Sequence, residues 1–175
     1  MLVQQCIEGD VSAYRQIYDR YARAMYNTSL RITGNSADAE DILQESFIDA
    51  FEQLQSFEGR STFGAWLKQI VVYKSIGLLR KKRIIFTELI IEAEDLAEED
   101  SAGENEIDYT VAAIKEAIAG LPDGYRAVLS LYLVEGYDHD EISEILSISH
   151  STVRTQYIRG KQKLLQLLTK AKQHE

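Results

Sequence analysis

Apolar residues recur at spacings of three and four along nearly the whole chain, and no alternating strand pattern is sustained. That period returns side chains to one face of an α-helix. Ile17, Tyr18, Tyr21, Ala24 and Met25 mark one face of a first long helix. It is predicted to close at Thr33-Gly34-Asn35, where Gly34 or Asn35 can take the left-handed conformation. Ser36 is the expected N-cap of the next helix, with Asp38 and Glu40 in the first turn, where the helix dipole favours negative charge. Its apolar side runs Ile42, Leu43, Phe47, Ala50, Phe51, Leu54. Phe57-Glu58-Gly59-Arg60-Ser61-Thr62 interrupts the pattern as a loop, and a third helix is predicted from about Phe63 to Arg83, with Phe63, Trp66, Leu67, Ile70 and Val71 inward. Helical periodicity resumes near Tyr109. Gly120-Leu121-Pro122 is a stop–start signal, since proline fits a first helical turn, where its missing N–H has no partner to lose. Further helices are predicted over about 122–135, 138–146 and 150–172. The expectation is an all-α protein of two small helical domains, 1–87 and 109–175.

The 175 residues fit either one domain or two small ones, and 45% hydrophobic content is enough to build cores. The longest apolar run is about four residues, against the roughly 20 needed to span a bilayer. The first residues carry no basic start and apolar stretch, so a secretory leader is not expected. One cysteine, Cys6, cannot form an internal disulfide, which fits a reducing cytosol.

Charge changes the picture most. The net charge of −9 conceals a segregation: 4 basic and 10 acidic residues in 1–59, then 7 basic and none acidic in 60–87, then 10 acidic and none basic in 88–108. Residues 109–175 balance at 8 and 8, yet 150–172 alone holds 6 basic residues and no acid. Two basic patches inside an acidic chain point to nucleic acid, and the acidic segment 88–108 reads as a flexible linker.

Residues 140–159 have the layout of a helix-turn-helix: Ile142, Ile145 and Leu146 bury a short first helix, Ile148 plugs the turn, and Val153 with Tyr157 or Ile158 buries the second. Ser147 occupies a turn position that requires positive φ, with some strain for a serine. The outward residues of the second helix are then Ser151, Arg154, Thr155, Gln156 and Arg159, with Lys161 and Lys163 extending the basic stripe. Arginine bonds guanine and glutamine bonds adenine in bidentate fashion, while hydroxyls reach phosphates. The alternative is a helical hairpin with a solvated outer face. In 57–83, Phe57, Phe63, Trp66 and Tyr73 alternate with Arg60, Lys68, Lys74, Arg80, Lys81, Lys82 and Arg83. Cations with aromatic faces suit melted or single strands better than intact duplex. The alternative reading makes Phe63, Trp66 and Ile70 core residues, and for Trp66 it is preferred. The acidic side of the second helix, taken alone, is an ordinary solvated surface. The histidines are scattered, Cys6 has no metal-ligand spacing around it and no phosphate-cradling glycine loop occurs, so neither an enzyme nor a cofactor or metal is expected. A stand-alone helix-turn-helix regulator is the rival class.

The string Asp38-Ala-Glu-Asp-Ile-Leu-Gln-Glu-Ser-Phe47, followed by Phe57-Glu-Gly-Arg-Ser-Thr-Phe-Gly-Ala-Trp-Leu67, resembles the second conserved domain of extracytoplasmic-function sigma factors. Leu121-Pro122, Tyr125-Arg126 and Thr152-Val153-Arg154 resemble the fourth domain of that family. The resemblance implies a transcription initiation factor acting in the cytoplasm, with no small-molecule substrate and no membrane insertion. It implies that Asp38, Glu40, Asp41, Gln44 and Glu45 dock on the clamp coiled coil of core RNA polymerase. It implies that Arg60, Ser61, Thr62, Phe63, Lys68, Lys74, Arg80, Lys81 and Lys82 meet the melted −10 promoter element. It also implies that Ser151, Thr152, Arg154, Thr155, Gln156, Arg159 and Lys161 read duplex DNA at −35, and that an anti-sigma factor restrains the protein. Tyr73 and Gly77 stand where many members carry asparagine and aspartate. Thr155-Gln156 and Gly160 replace a common serine–arginine pair and a common alanine, so an altered −35 preference is expected.

Overall fold

The computed structural model describes residues 2–82 and 109–172, and the predicted acidic linker lies outside the described residues. Among them every regular element is helical. The chain divides into two compact units between Leu78 and Leu79.

In the first unit a short helix α1 (Leu2–Ile7), absent from the sequence reading, precedes α2 (Val11–Thr33) and α3 (Ser36–Glu52). Asp10 caps α2 by accepting from the Ser12 amide at 2.8 Å, which satisfies one of the donors that a helix start leaves over. Its carboxyl is held below the usual range first by hydrogen bonding with the Ser12 side chain and then by the Ser12 amide. Gly34, at φ 68°, ends α2 in the predicted left-handed conformation. The cap of α3 is Asn35 rather than Ser36: its side chain accepts from the Asp38 amide at 3.0 Å. A single 3-10 turn (Leu54–Ser56) leads to the loop, and α4 covers Phe63–Lys81.

The core of this unit joins Cys6, Ala13, Ile17, Met25, Ile42, Leu43, Phe47, Leu54, Phe63, Leu67 and Val71. Tyr14 meets Phe51 edge-on and Tyr18 meets Phe47, both with centroids 4.8 Å apart, a geometry that favours the ring quadrupoles. The buried hydroxyls of Ser29 on α2 and Ser75 on α4 lie 3.0 Å apart. Ser75 also lies 2.8 Å from the Val71 carbonyl of its own helix, so the pair favours the register in which the two small polar side chains meet.

The second unit contains α5 (Val111–Ala119), α6 (Asp123–Leu129), a π-helical segment (Ser130–Glu135), α7 (His139–Leu146) and α8 (His150–Lys172). The helix expected over 122–135 is thus two segments of different winding. Ile118, Leu121, Leu129, Leu164 and Leu168 form its core. Arg126 is buried there and donates to the Leu121 carbonyl at 3.0 Å while pairing with Asp123. Gly160 sits where α8 crosses α6: a Cβ there would come within 3.3 Å of Leu129 and 3.4 Å of Tyr125. The glycine therefore exchanges helix propensity, about 1 kcal/mol against alanine, for a close approach.

Candidate nucleic-acid interface

α7 and α8 form the helix-turn-helix. α7 starts with a capping box: Asp138 accepts from the Glu141 amide, and the Asp138 amide donates back to the Glu141 carboxylate, both at 2.8 Å. It ends at Ser147, at φ 53° and ψ 44°. The strained serine expected from the sequence is therefore present, with the Ser147 amide donating to the Glu144 carbonyl and the Ile148 amide to that of Ser143. Ser149 then caps α8, accepting from the Thr152 amide at 3.1 Å, and its hydroxyl lies 2.8 Å from that of Ser151 and 2.7 Å from that of Thr152. This cluster of hydroxyls stands at the helix N-terminus, where unpaired amides and the dipole favour an anion.

Beyond the cap, α8 buries Val153, Gln156, Gly160, Leu164 and Leu168. Ser151, Arg154, Ile158 and Lys161 are exposed, and Thr152, Thr155 and Arg159 are half-buried. Thr155 returns its hydroxyl to the Ser151 carbonyl at 3.0 Å. Gln156, expected to read bases, is 0% exposed. It lies three residues from Val153 and four from Gly160, on the stripe that packs inward, so it has no access to a groove. Ile158 is correspondingly outward, and Tyr157 is the half-buried aromatic of the pair. Tyr157 meets Tyr132 (4.7 Å) and His139 (5.2 Å) in tilted ring contacts, and burial pushes its phenol up.

The loop before α4 is the second basic region. Thr62 caps α4 by accepting from the Ala65 amide at 3.2 Å. Phe57, Phe63 and Trp66 form a cluster with centroids 5.2 to 5.8 Å apart. Phe63 is 7% exposed and also touches Tyr21. It therefore supports the loop from below, as the inward face predicted for this helix requires, and is not available as a stacking surface for a base. Phe57 and Trp66 are half-buried and line a shallow cavity of about 160 Å³ with Ser56, Glu58, Gly59, Arg60 and Ser61. Arg60 is exposed but paired with Glu58 at 2.6 Å.

The α4 cations do not share one environment. Lys68 is half-buried, and Lys81 and Lys82 are exposed. Lys74 is turned onto α3, 2.8 Å from Asp49 and 3.3 Å from Glu45. Burial lowers its ammonium pKa, but the two carboxylates raise it by more. It was expected to face DNA and instead faces its own chain. Arg80, which falls in the second unit, donates to the Ile145 carbonyl (2.7 Å) and the Ser147 hydroxyl (2.9 Å) of the helix-turn-helix turn. On α3, Glu40, Asp41, Gln44 and Glu45 are exposed and Asp38 is half-buried. Their inner neighbours Ala39, Ile42, Leu43, Ser46 and Phe47 are buried.

Capped helices joined by a left-handed turn, with basic and hydroxyl side chains outward, make this a helical DNA-binding protein. The comparisons with known proteins narrow the class. The family Sigma-70 region 2 matches residues 17–84, and Sigma-70 region 4 matches residues 112–164. The ECF RNA polymerase sigma factor SigW of Bacillus subtilis is 34% identical over 175 residues, covering 93% of this chain and 92% of its own. The ECF RNA polymerase sigma-E factor of Haemophilus influenzae is 28% identical over 92% of this chain and 90% of its own. The sigma factor RpoE of Bartonella quintana, solved in complex with the anti-sigma factor NepR, shares the fold, with a TM-score of 0.56 and 20% identity over 91% of this chain and 98% of that one. The chain belongs to the extracytoplasmic-function RNA polymerase sigma factors of the sigma-70 family, which are initiation factors and not catalysts. No helix of the described residues is long and apolar enough to cross a membrane.

Proposed function

We propose that the two basic regions divide promoter recognition between them while α3 carries the chain onto core RNA polymerase in the cytoplasm. The observation that carries this reading is the separation of charge: exposed Glu40, Asp41 and Glu45 lie on α3, and the cations lie on α4 and α8. A carboxylate-rich helix is repelled by DNA and attracted to a basic protein surface, for which the polymerase clamp coiled coil is the proposed partner. Arg154, with Ser151, Thr152, Thr155, Arg159 and Lys161, would meet the −35 duplex, Arg154 at a base edge and the hydroxyls at phosphates. Phe57, Arg60, Ser61 and Trp66 border a cavity that suits an unstacked base of the −10 element, with Lys68, Lys81 and Lys82 on the backbone. The 88–108 segment would act as an acidic spacer between domains 1–87 and 109–175, and an anti-sigma factor is the proposed restraint.

A reconstituted transcription assay tests the proposal. Purified chain should bind core polymerase and start transcripts at a discrete promoter, and Asp41→Lys should weaken core binding while leaving helical content unchanged. A chain that binds promoter DNA equally well in the absence of polymerase, and does not associate with the core, would be a stand-alone regulator instead.

A further inference from the structure

We infer that Lys74 is a positioning residue acting by exchange: in the free chain α3 holds its ammonium, and a basic partner docking on α3 releases it to nucleic-acid phosphate. The inference rests on the reading that α3 meets polymerase and α4 meets DNA.

Lys74 is shared between two carboxylates of α3, at 2.8 Å from Asp49 and 3.3 Å from Glu45, the latter 29 residues away in sequence. One cation against two acids leaves the cluster net negative, so it still attracts positive charge. The exposures are graded: the Lys74 side chain is 24% exposed, Asp49 37% and Glu45 65%. The partner's way in is therefore over Glu45, the open end of the cluster. A cation arriving there competes with Lys74 for the same oxygens and repels the ammonium. Exposed ion pairs are held weakly, and a lysine stem of four carbons lets the ammonium swing away without moving the backbone. Its charge state does not change, because the carboxylates raise its pKa, so displacement is the available route.

The destination is on the same helix. Lys81 lies seven residues, two turns, beyond Lys74 and shares its face. Between them at i+3 stands Gly77, where an added Cβ would meet nothing within 4 Å. Gly77 itself thus places no side chain between the two lysines, where Leu78 is the half-buried neighbour. Lys74 swung along α4 joins Lys81 in a stripe spaced for backbone contacts. The arrangement couples α3 to α4: the chain presents one phosphate-binding cation fewer until α3 is occupied.

The test uses the full chain, core polymerase and a promoter fragment. Lys74→Gln should tighten core binding by about 1.5- to 5-fold, the range exposed ion pairs are worth, because the internal competitor is gone. The promoter affinity of the resulting holoenzyme should lose about 0.7–0.9 from its log–log salt slope, one phosphate contact. Lys74→Arg should restore both. Core binding that is unchanged or weaker in Lys74→Gln, or an unaltered salt slope, overturns the inference. Should Lys74→Gln fold poorly, amine acylation of the wild-type chain read by mass spectrometry decides instead. Lys74 should react slowly alone, faster with core, and slowly again once promoter is added; no rise on adding core overturns the exchange. A wild-type chain that does not bind core at all fails at the functional reading, before Lys74 is tested.

Discussion

Arg154 and Gln156 are two residues apart on α8, yet the helix turns them about 200° from each other, so one is exposed and the other is enclosed. Their substitutions should therefore behave differently. Arg154→Ala should cost about 1–3 kcal/mol at one base position of the −35 element and relax preference there, as read by affinity across a set of single-base promoter variants. Gln156→Met should leave the ranking of those variants intact and alter thermal stability alone, because the residue reaches protein and not bases. Arg126 shows the opposite use of a guanidinium. It is enclosed by the Leu121 carbonyl and the Asp123 carboxylate, so Arg126→Met, which removes one partner and strands the other, should destabilise the second unit by about 2–4 kcal/mol in chemical denaturation. Arg126→Lys should not rescue it fully, since a single ammonium cannot reproduce the planar fork.

Whole helices respond through their ends. The Asp10 carboxyl that caps α2 has a depressed pKa, so its stabilisation is complete above the ordinary carboxyl value of 3.8 and is lost as pH falls through the lower folded value. Amide exchange at the first turn of α2 should accordingly accelerate only in acid. Asp10→Asn, which caps without titrating, should remove that dependence. The same local chemistry explains how much of the fold was legible. The α2 closure at Gly34, the loop over 57–62, the start of α4 at Phe63 and the α7–turn–α8 unit all carried apolar period together with a turn or cap residue. α1 carried neither a long period nor a distinct cap, and six residues give too few repeats to show a face. The π winding at 130–135 left no mark either, because Leu131, Leu133 and Val134 fit an α-helical pattern as well. At the candidate site, Ser151 and Arg154 were legible as outward. Gln156 was not, since a polar residue on a buried stripe contradicts the pattern that located the stripe. Phe63 carried two readings, inward by helical period and DNA-facing by composition, of which the first holds, and Lys74 was misplaced. An aromatic residue serves core or surface equally well, and the direction of a lysine depends on carboxylates far away in sequence.

On the scale of the whole molecule, electrostatic segregation connects the elements. A chain of net charge −9 approaches DNA against long-range repulsion. Its cationic residues on α4 and α8 act only where they are presented locally, and Lys74 is withheld by α3. On the proposed reading, a basic partner on α3 would remove part of that repulsion while holding two weak DNA contacts on one scaffold. Contacts joined in this way act at high effective concentration. Promoter binding should therefore be conditional on polymerase. The direct measurement is the affinity of a fluorescent promoter fragment for the full chain at about 0.15 M salt, with and without core polymerase and against a scrambled fragment. The account predicts weak, sequence-indifferent retention by the chain alone and tight, promoter-selective retention once core is added. Nanomolar, promoter-selective binding by the free chain would contradict it.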